Sequence, residues 1–324
     1  LVARIGGVLR SWPVLFPFLG LLLLAPAIGR AESPLPPALS AESVLLIDPA
    51  GRTLFAKNAT ADHAPASLVK LMTLYLAFDE LDAGRIRPDD PVTISHHAAT
   101  TDRYRMGLRE GDRVSLHTVM GGVGIASAND AATALAEHLA GSESAFVVRM
   151  NEKGAALGLT GTRFANPHGL PHPDQRSNAR DLAALTARLL TDHPDAREVL
   201  GGQTFVYRGR EYSRNIPLFR DPGGVEALKT GFTREAGYNL SVEAWRGGRQ
   251  FLMIVLGARS RSLSFIDARK LLRYGFSEVG LALPPEPVRR EVVKKPSLRE
   301  APKKPIREVA KKPMRTRRAT SVRR

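Results

Sequence analysis

A chain of 324 residues, 43% of them hydrophobic, can bury a sizeable core as one large domain or two small ones. It has no cysteine, which excludes a disulfide framework, a thiolate nucleophile and a zinc-thiolate cluster. Its net charge of +15 is concentrated at one end: residues 285–324 hold 15 Lys and Arg against 4 Asp and Glu, which leaves +4 for everything before them and no basic body for nucleic acid.

The chain opens with Arg4 and Arg10, then an apolar run from Trp12 to Leu24, then the small-residue patches Ala25-Pro26-Ala27 and Gly29-Arg30-Ala31. That is the order of a secretory signal peptide, so residues 1–31 are expected to be a leader cleaved near Ala31, and the mature protein to work in the periplasm or cell envelope. Retention as a membrane anchor is disfavoured because Pro13, Pro17 and Pro26 make a poor spanning helix.

Residues 43–48 and 53–57 are rich in strand formers and flank the turn cluster Pro49-Ala50-Gly51-Arg52, which predicts a hairpin. From Ser67 to Phe78 apolar residues face every direction, as in a helix at the centre of its domain. Further helices are predicted over 129–139, stopped by Gly141, over 144–157 and over 181–190, with a loop over 162–180 marked by Asn166-Pro167-His168-Gly169. Strands are predicted over 226–232, 239–245 and 250–256, the last two joined at Gly247-Gly248. A closing helix over 266–274 is expected to end at Gly275. Strands at both ends with helices between them imply an α+β fold, one antiparallel sheet with packed helices and an inserted helical cluster. The tail 285–324 repeats Lys-Lys-Pro three times with few large apolar residues, and is expected to be a disordered basic arm, either a solvated linker or a binder of anionic envelope surfaces.

Three short motifs carry chemistry. In Ser67-x-x-Lys70 residues three apart share a helix face, so the Lys70 amine can reach the Ser67 hydroxyl. A serine hydroxyl is a weak nucleophile until a neighbour takes its proton, which Lys70 can do only as a free amine, its pKa depressed by burial, the helix dipole and any nearby cation. Ser127-Ala128-Asn129 precedes a predicted helix, where the hydroxyl can relay a proton and the carboxamide hold a substrate amide, or both can simply cap the helix. Lys229-Thr230-Gly231 lies on a predicted strand, where neighbouring side chains point to opposite faces and serve one ligand only at the edge of a cleft, while Gly231 permits close backbone approach. The eight histidines show no metal-ligand spacing, and no metal or cofactor is expected.

With these motifs in this order, and with the blocks "PASLVKLMT", "SANDAATALAEHLAGSE", "FANPHGL" and "LKTGFTREAGYNL", residues 41–283 resemble the serine D-alanyl-D-alanine carboxypeptidases, the low-molecular-mass penicillin-binding proteins. The resemblance implies a β-lactamase/transpeptidase-like fold, a catalytic domain over 32–284, peptidoglycan stem peptides as substrate and β-lactams as covalent inhibitors. It also implies roles: Ser67 the nucleophile, Lys70 its base, Ser127 the proton relay, and Asn129 a grip on the peptide stem. Lys229 and Thr230 would hold the terminal carboxylate, with Lys229 helping to keep Lys70 neutral by like-charge repulsion. The backbone N–H groups of Ser67 and Phe232 would form the oxyanion hole.

The chain departs from the family pattern in carrying Ala128 where glycine is usual and Ser264 where some members carry an arginine, for which Arg259 or Arg261 could substitute. Three rivals are an endopeptidase of crosslinked peptidoglycan, a β-lactamase, and a non-catalytic envelope binder using the tail. The β-lactamase is disfavoured because the sequence holds no Glu-x-x-Asn, the class A deacylation pattern.

Overall fold

The computed structural model describes residues 35–283; the leader read at 1–31 and the basic tail read at 285–324 lie outside the described residues. The described part begins with strands β1 (Ser43–Ile47) and β2 (Thr53–Lys57), a 3-10 turn (Ala66–Val69) and helix α1 (Lys70–Asp82). There follow β3 (Pro91–Thr93), α2 (His96–Thr100), β4 (Arg113–Ser115), α3 (Leu116–Gly124), α4 (Asn129–Ala140), α5 (Glu143–Ala156), α6 (Ala179–Asp192) and α7 (Ala196–Gly201). The chain then forms β5 (Thr204–Tyr207), β6 (Arg210–Ser213), β7 (Val225–Thr233), β8 (Gly237–Arg246), β9 (Arg249–Ala258) and α8 (Arg261–Glu278).

Five strands make one antiparallel sheet in the order β2-β1-β9-β8-β7, so strands from the two ends of the sequence pair, Leu45 opposite Ile254. The sheet is apolar on both faces, with the alternation a pleated strand requires. Leu45, Leu252, Ile254 and Leu256 join a core with α1 and α6, whereas Val44, Leu46, Phe251, Met253 and Val255 join a second core with α8. Helix α1 is buried along nearly its whole length, as its all-round apolar sequence predicts. Gly247 and Gly248, both in left-handed backbone, turn β8 into β9.

Two expectations are corrected. Gly275 does not end the last helix: a Cβ there would stand 2.8 Å from the Leu46 side chain, so glycine lets α8 lie close on the sheet and run on to Glu278. The body also contains α2, α3, α7 and the short pairs β3–β4 and β5–β6, which periodicity did not single out.

The placement that matters for chemistry is that of β7, which is an edge of the sheet. Its residues Ala227, Lys229 and Gly231 face the helical cluster, and Leu228 packs on the α8 side. Lys229 therefore points into the helical side, where its amine reaches Ser127 just before α4.

Candidate active site

Ser67 sits in the 3-10 turn before α1, and Lys70 is the first residue of the helix. The turn is entered through Ala66 at φ 48°, a left-handed conformation that costs an L-residue about 1–2 kcal/mol. Three contacts hold it there. Asn239 Nδ2 donates to the carbonyls of Ala64 and Pro65 at 3.0 and 3.2 Å, while its Oδ1 accepts the Gly257 N–H at 2.9 Å. Gly231 on β7 lies so close that a Cβ would be 3.1 Å from both the Pro65 oxygen and the Ser67 nitrogen. Gly169, at φ 89°, packs closer still, since a Cβ would fall 2.0 Å from the Ala66 oxygen. The close approach read at Gly231 is thus made by the chain's own backbone.

Lys70 is completely buried. Its Nζ lies 2.7 Å from Asn129 Oδ1, 2.5 Å from the His168 carbonyl oxygen and 3.2 Å from Ser67 Oγ. Every one of these partners is neutral, and burial lowers the amine pKa from 10.5 to about 7, against a smaller opposing pull from Asp130. A neutral amine has two N–H donors and one lone pair. The two donors match the Asn129 and His168 oxygens, which leaves the lone pair toward the Ser67 hydroxyl.

Ser127, in left-handed backbone at φ 54°, accepts a 2.8 Å hydrogen bond from Lys229 Nζ, which also donates to the Thr230 carbonyl at 2.9 Å. Burial holds the Lys229 amine well below its ordinary range, helped by the Lys70 charge and by Arg214. Arg214 is itself a largely buried cation, pushed down to about 10 by burial, that donates to the carbonyls of Leu200, Gly202 and Leu228. Repulsion between two neighbouring ammonium charges acts on both amines, on top of the loss of hydration that leads at each.

Asn129 borders the cleft and is also bound within the protein. Both polar atoms of its side chain are engaged within the protein: Oδ1 with Lys70, and Nδ2 as donor to the carbonyls of Asp102 and Arg103 at 3.0 and 3.1 Å. It fixes the amine and the loop beside it.

The cleft over Ser67 has two lobes, both bordered by Ser67, Tyr104 and Phe232. One, of about 410 Å³, is lined by Ser127, Thr230, Gly231, Arg261 and Ser264. Thr230, on the face of β7 opposite Lys229, reaches this lobe because β7 is the sheet edge. Arg261, rather than Arg259, supplies its cation, from the first residue of α8. The other lobe, of about 600 Å³, is lined by Asn129, residues 168–171, the loop 102–104 and the turn after β7.

Three participants escaped the sequence reading. The His168 carbonyl is aimed at Lys70 by its turn, where Asn166 Oδ1 accepts the Gly169 N–H at 2.7 Å and Thr73 Oγ1 donates to the Pro167 carbonyl at 2.6 Å. His168 is not solvated: burial, then Lys70 and His97, push its imidazole down to about 3. Asn239 and Arg214 are the others. His168 lies in the quoted block at 164–170 and Asn239 in that at 228–240, but neither was given a role there, and Arg214 lies in no quoted block.

A family profile described as D-alanyl-D-alanine carboxypeptidase matches residues 30–260. The chain is 39% identical over 251 residues to the D-alanyl-D-alanine carboxypeptidase DacD of Escherichia coli, covering 75% of this chain and 65% of that protein, so it spans just under two thirds of this relative's length. It is 30% identical over 257 residues to a D-alanyl-D-alanine endopeptidase of Pseudomonas aeruginosa, covering 76% and 80% respectively. Among solved structures, penicillin binding protein 6B from Escherichia coli superposes with a TM-score of 0.70 at 38% identity, over 76% of this chain and 80% of that one.

Proposed function

Because the chain belongs to the D-alanyl-D-alanine carboxypeptidase family, we propose that it removes the terminal D-alanine from peptidoglycan stem pentapeptides through an acyl-enzyme on Ser67. The observation that carries this reading is the coordination of Lys70. With Nζ within hydrogen-bond reach of two neutral oxygens and 3.2 Å from the Ser67 hydroxyl, Lys70 in its deprotonated form is placed to act as the general base.

In the proposed cycle Lys70 Nζ takes the Ser67 proton as Oγ attacks the carbonyl of the penultimate D-alanine. The oxyanion is met by the backbone N–H groups of Ser67 and Phe232, an arrangement typically worth about 3 kcal/mol of barrier per donor. The C–N bond then breaks, the amine of the departing D-alanine receives its proton through Ser127, which Lys229 positions, and water cleaves the ester to release the shortened stem. The smaller lobe suits the leaving residue, since Thr230 and Arg261 can receive its carboxylate. A β-lactam would acylate the same serine.

A leader at 1–31, a catalytic domain at 32–284 and a basic arm at 285–324 that contacts anionic envelope surfaces complete the reading, which places the enzyme outside the cytoplasm, where such a substrate lies. Crosslink cleavage uses the same machinery, but the carboxypeptidase relative is the more similar of the two. The test is product analysis: purified protein given a stem pentapeptide and, separately, a crosslinked dimer should release free D-alanine from the pentapeptide as its faster reaction. Faster cleavage of the dimer would assign it as the endopeptidase, and no cleavage of either would overturn both.

A further inference from the structure

The larger lobe carries a charge pattern that acyl transfer does not need. Two separate segments each bring one anion and one cation to its lining: Asp102 and Arg103 from the loop before β4, and Arg234 and Glu235 from the turn between β7 and β8. Asp102 and Arg103 are loosely paired at 3.9 Å, with side chains 84% and 74% exposed. Among the described residues the side chains of Arg234 and Glu235 have no hydrogen-bond or ion-pair partner.

The first pair is held by design of the backbone. Arg103 and Tyr104 both adopt left-handed conformations, φ 50° and 38°, which cost about 1–2 kcal/mol each. Asn129 offsets this with three bonds, its backbone N–H donating to the Tyr104 carbonyl at 2.7 Å and its amide to the carbonyls of Asp102 and Arg103. The second pair sits on a tight turn, where Thr233 Oγ1 accepts the Ala236 N–H at 3.0 Å and Gly237 has φ 64°. In both segments these contacts fix the backbone from which the exposed charged side chains project.

A lobe with two cations and two anions is complementary to neither a simple amine nor a simple acid. It matches a zwitterion, whose carboxylate can take bidentate hydrogen bonds from a guanidinium while its ammonium faces a carboxylate. The lobe lies on the side of Ser67 away from Thr230 and Arg261, hence on the acyl side of the bond to be cut. Resting on the carboxypeptidase reading above, the geometry points to a stem-peptide specificity: the residue preceding the two D-alanines carries a free amino-carboxylate head, and Arg234 with Glu235 receives it.

The experiment compares kcat/KM for D-alanine release from two pentapeptides that differ only at the third residue, meso-diaminopimelate in one and lysine in the other. An N,N′-diacetyl-lysyl-D-alanyl-D-alanine control carries neither head. The wild-type protein should prefer the diaminopimelate stem by about tenfold, the scale of one charge-assisted contact at a partly exposed site. In the double variant Arg234→Ala/Glu235→Ala the two rates should converge. Equal rates in the wild type, or an undiminished preference in the variant, would overturn the assignment. Absence of D-alanine release from all three peptides would instead signal failure of the carboxypeptidase reading.

Discussion

Lys70→Ala is expected to slow acylation by a fluorescent penicillin about a thousandfold or more, the upper range for loss of a positioned base. Ser67 would remain in its turn, held by Asn239, Gly231 and Gly169, but with no acceptor for its proton. Lys70→Arg separates two explanations of such a loss. A guanidinium keeps the charge and can donate to the Asn129 and His168 oxygens, yet never offers a lone pair. If Lys70 acts as a base, the arginine variant will be as slow as the alanine variant. If it acts as a cation, arginine will restore much of the rate. Circular dichroism should show both variants folded, since the 3-10 turn has its own supports.

The second large effect is expected at Gly169→Ala. At φ 89° an alanine is strained, and its Cβ would overlap backbone atoms, 2.0 Å from the Ala66 oxygen and 2.8 Å from the Ser67 nitrogen. No flexible side-chain end is available to yield, so either residues 166–170 withdraw or the nucleophile turn shifts. The first takes the His168 carbonyl from Lys70; the second moves Ser67 itself. A displacement near 1 Å in a catalytic arrangement costs about a hundredfold in rate. The expected outcome is a loss of about 3 kcal/mol or more in denaturant unfolding, together with that fall in acylation. Gly158→Ala is the matched control: its φ is also positive, 72°, but nothing lies within 4 Å of the added methyl, so it should cost only about 1–2 kcal/mol and leave acylation intact. Equal effects at the two positions would show that backbone strain, not the contact with the nucleophile turn, is responsible.

Much of this architecture can be read in the sequence because its signals are local. The continuous apolar strands at 43–47 and 250–256, the all-round apolar helix after Ser67 and the Gly247-Gly248 turn each follow from a few adjacent residues. Helix α3 was hidden because Gly121, Gly122 and Gly124 lower its propensity. Tertiary contact outweighs that penalty: a Cβ on Gly122 would meet the Met106 sulfur at 2.4 Å, and one on Gly124 the Val199 side chain at 2.1 Å. The motif residues Ser67, Lys70, Ser127, Lys229 and Thr230 are brought to one cleft. The scaffolding was not legible, because it acts through backbone and over long range. Asn239 holds carbonyls 174 and 175 positions away, and His168 works through its carbonyl, which any residue would possess. Asn129 likewise holds Lys70 and the loop at 102–103, contacts that its residue type alone does not announce.

Everything in the chemistry turns on Lys70 being an uncharged amine at working pH. The direct measurement is the rate of penicillin acylation against pH, with the site of attachment located by mass analysis. A base must be deprotonated to act, so with its pKa at about 7 the rate should climb as pH rises through that value and then level off, with the label on Ser67. A rate that keeps climbing toward the ordinary lysine range near 10, or one that is flat from pH 6 to 9, would contradict a buried neutral lysine as the group that activates the serine.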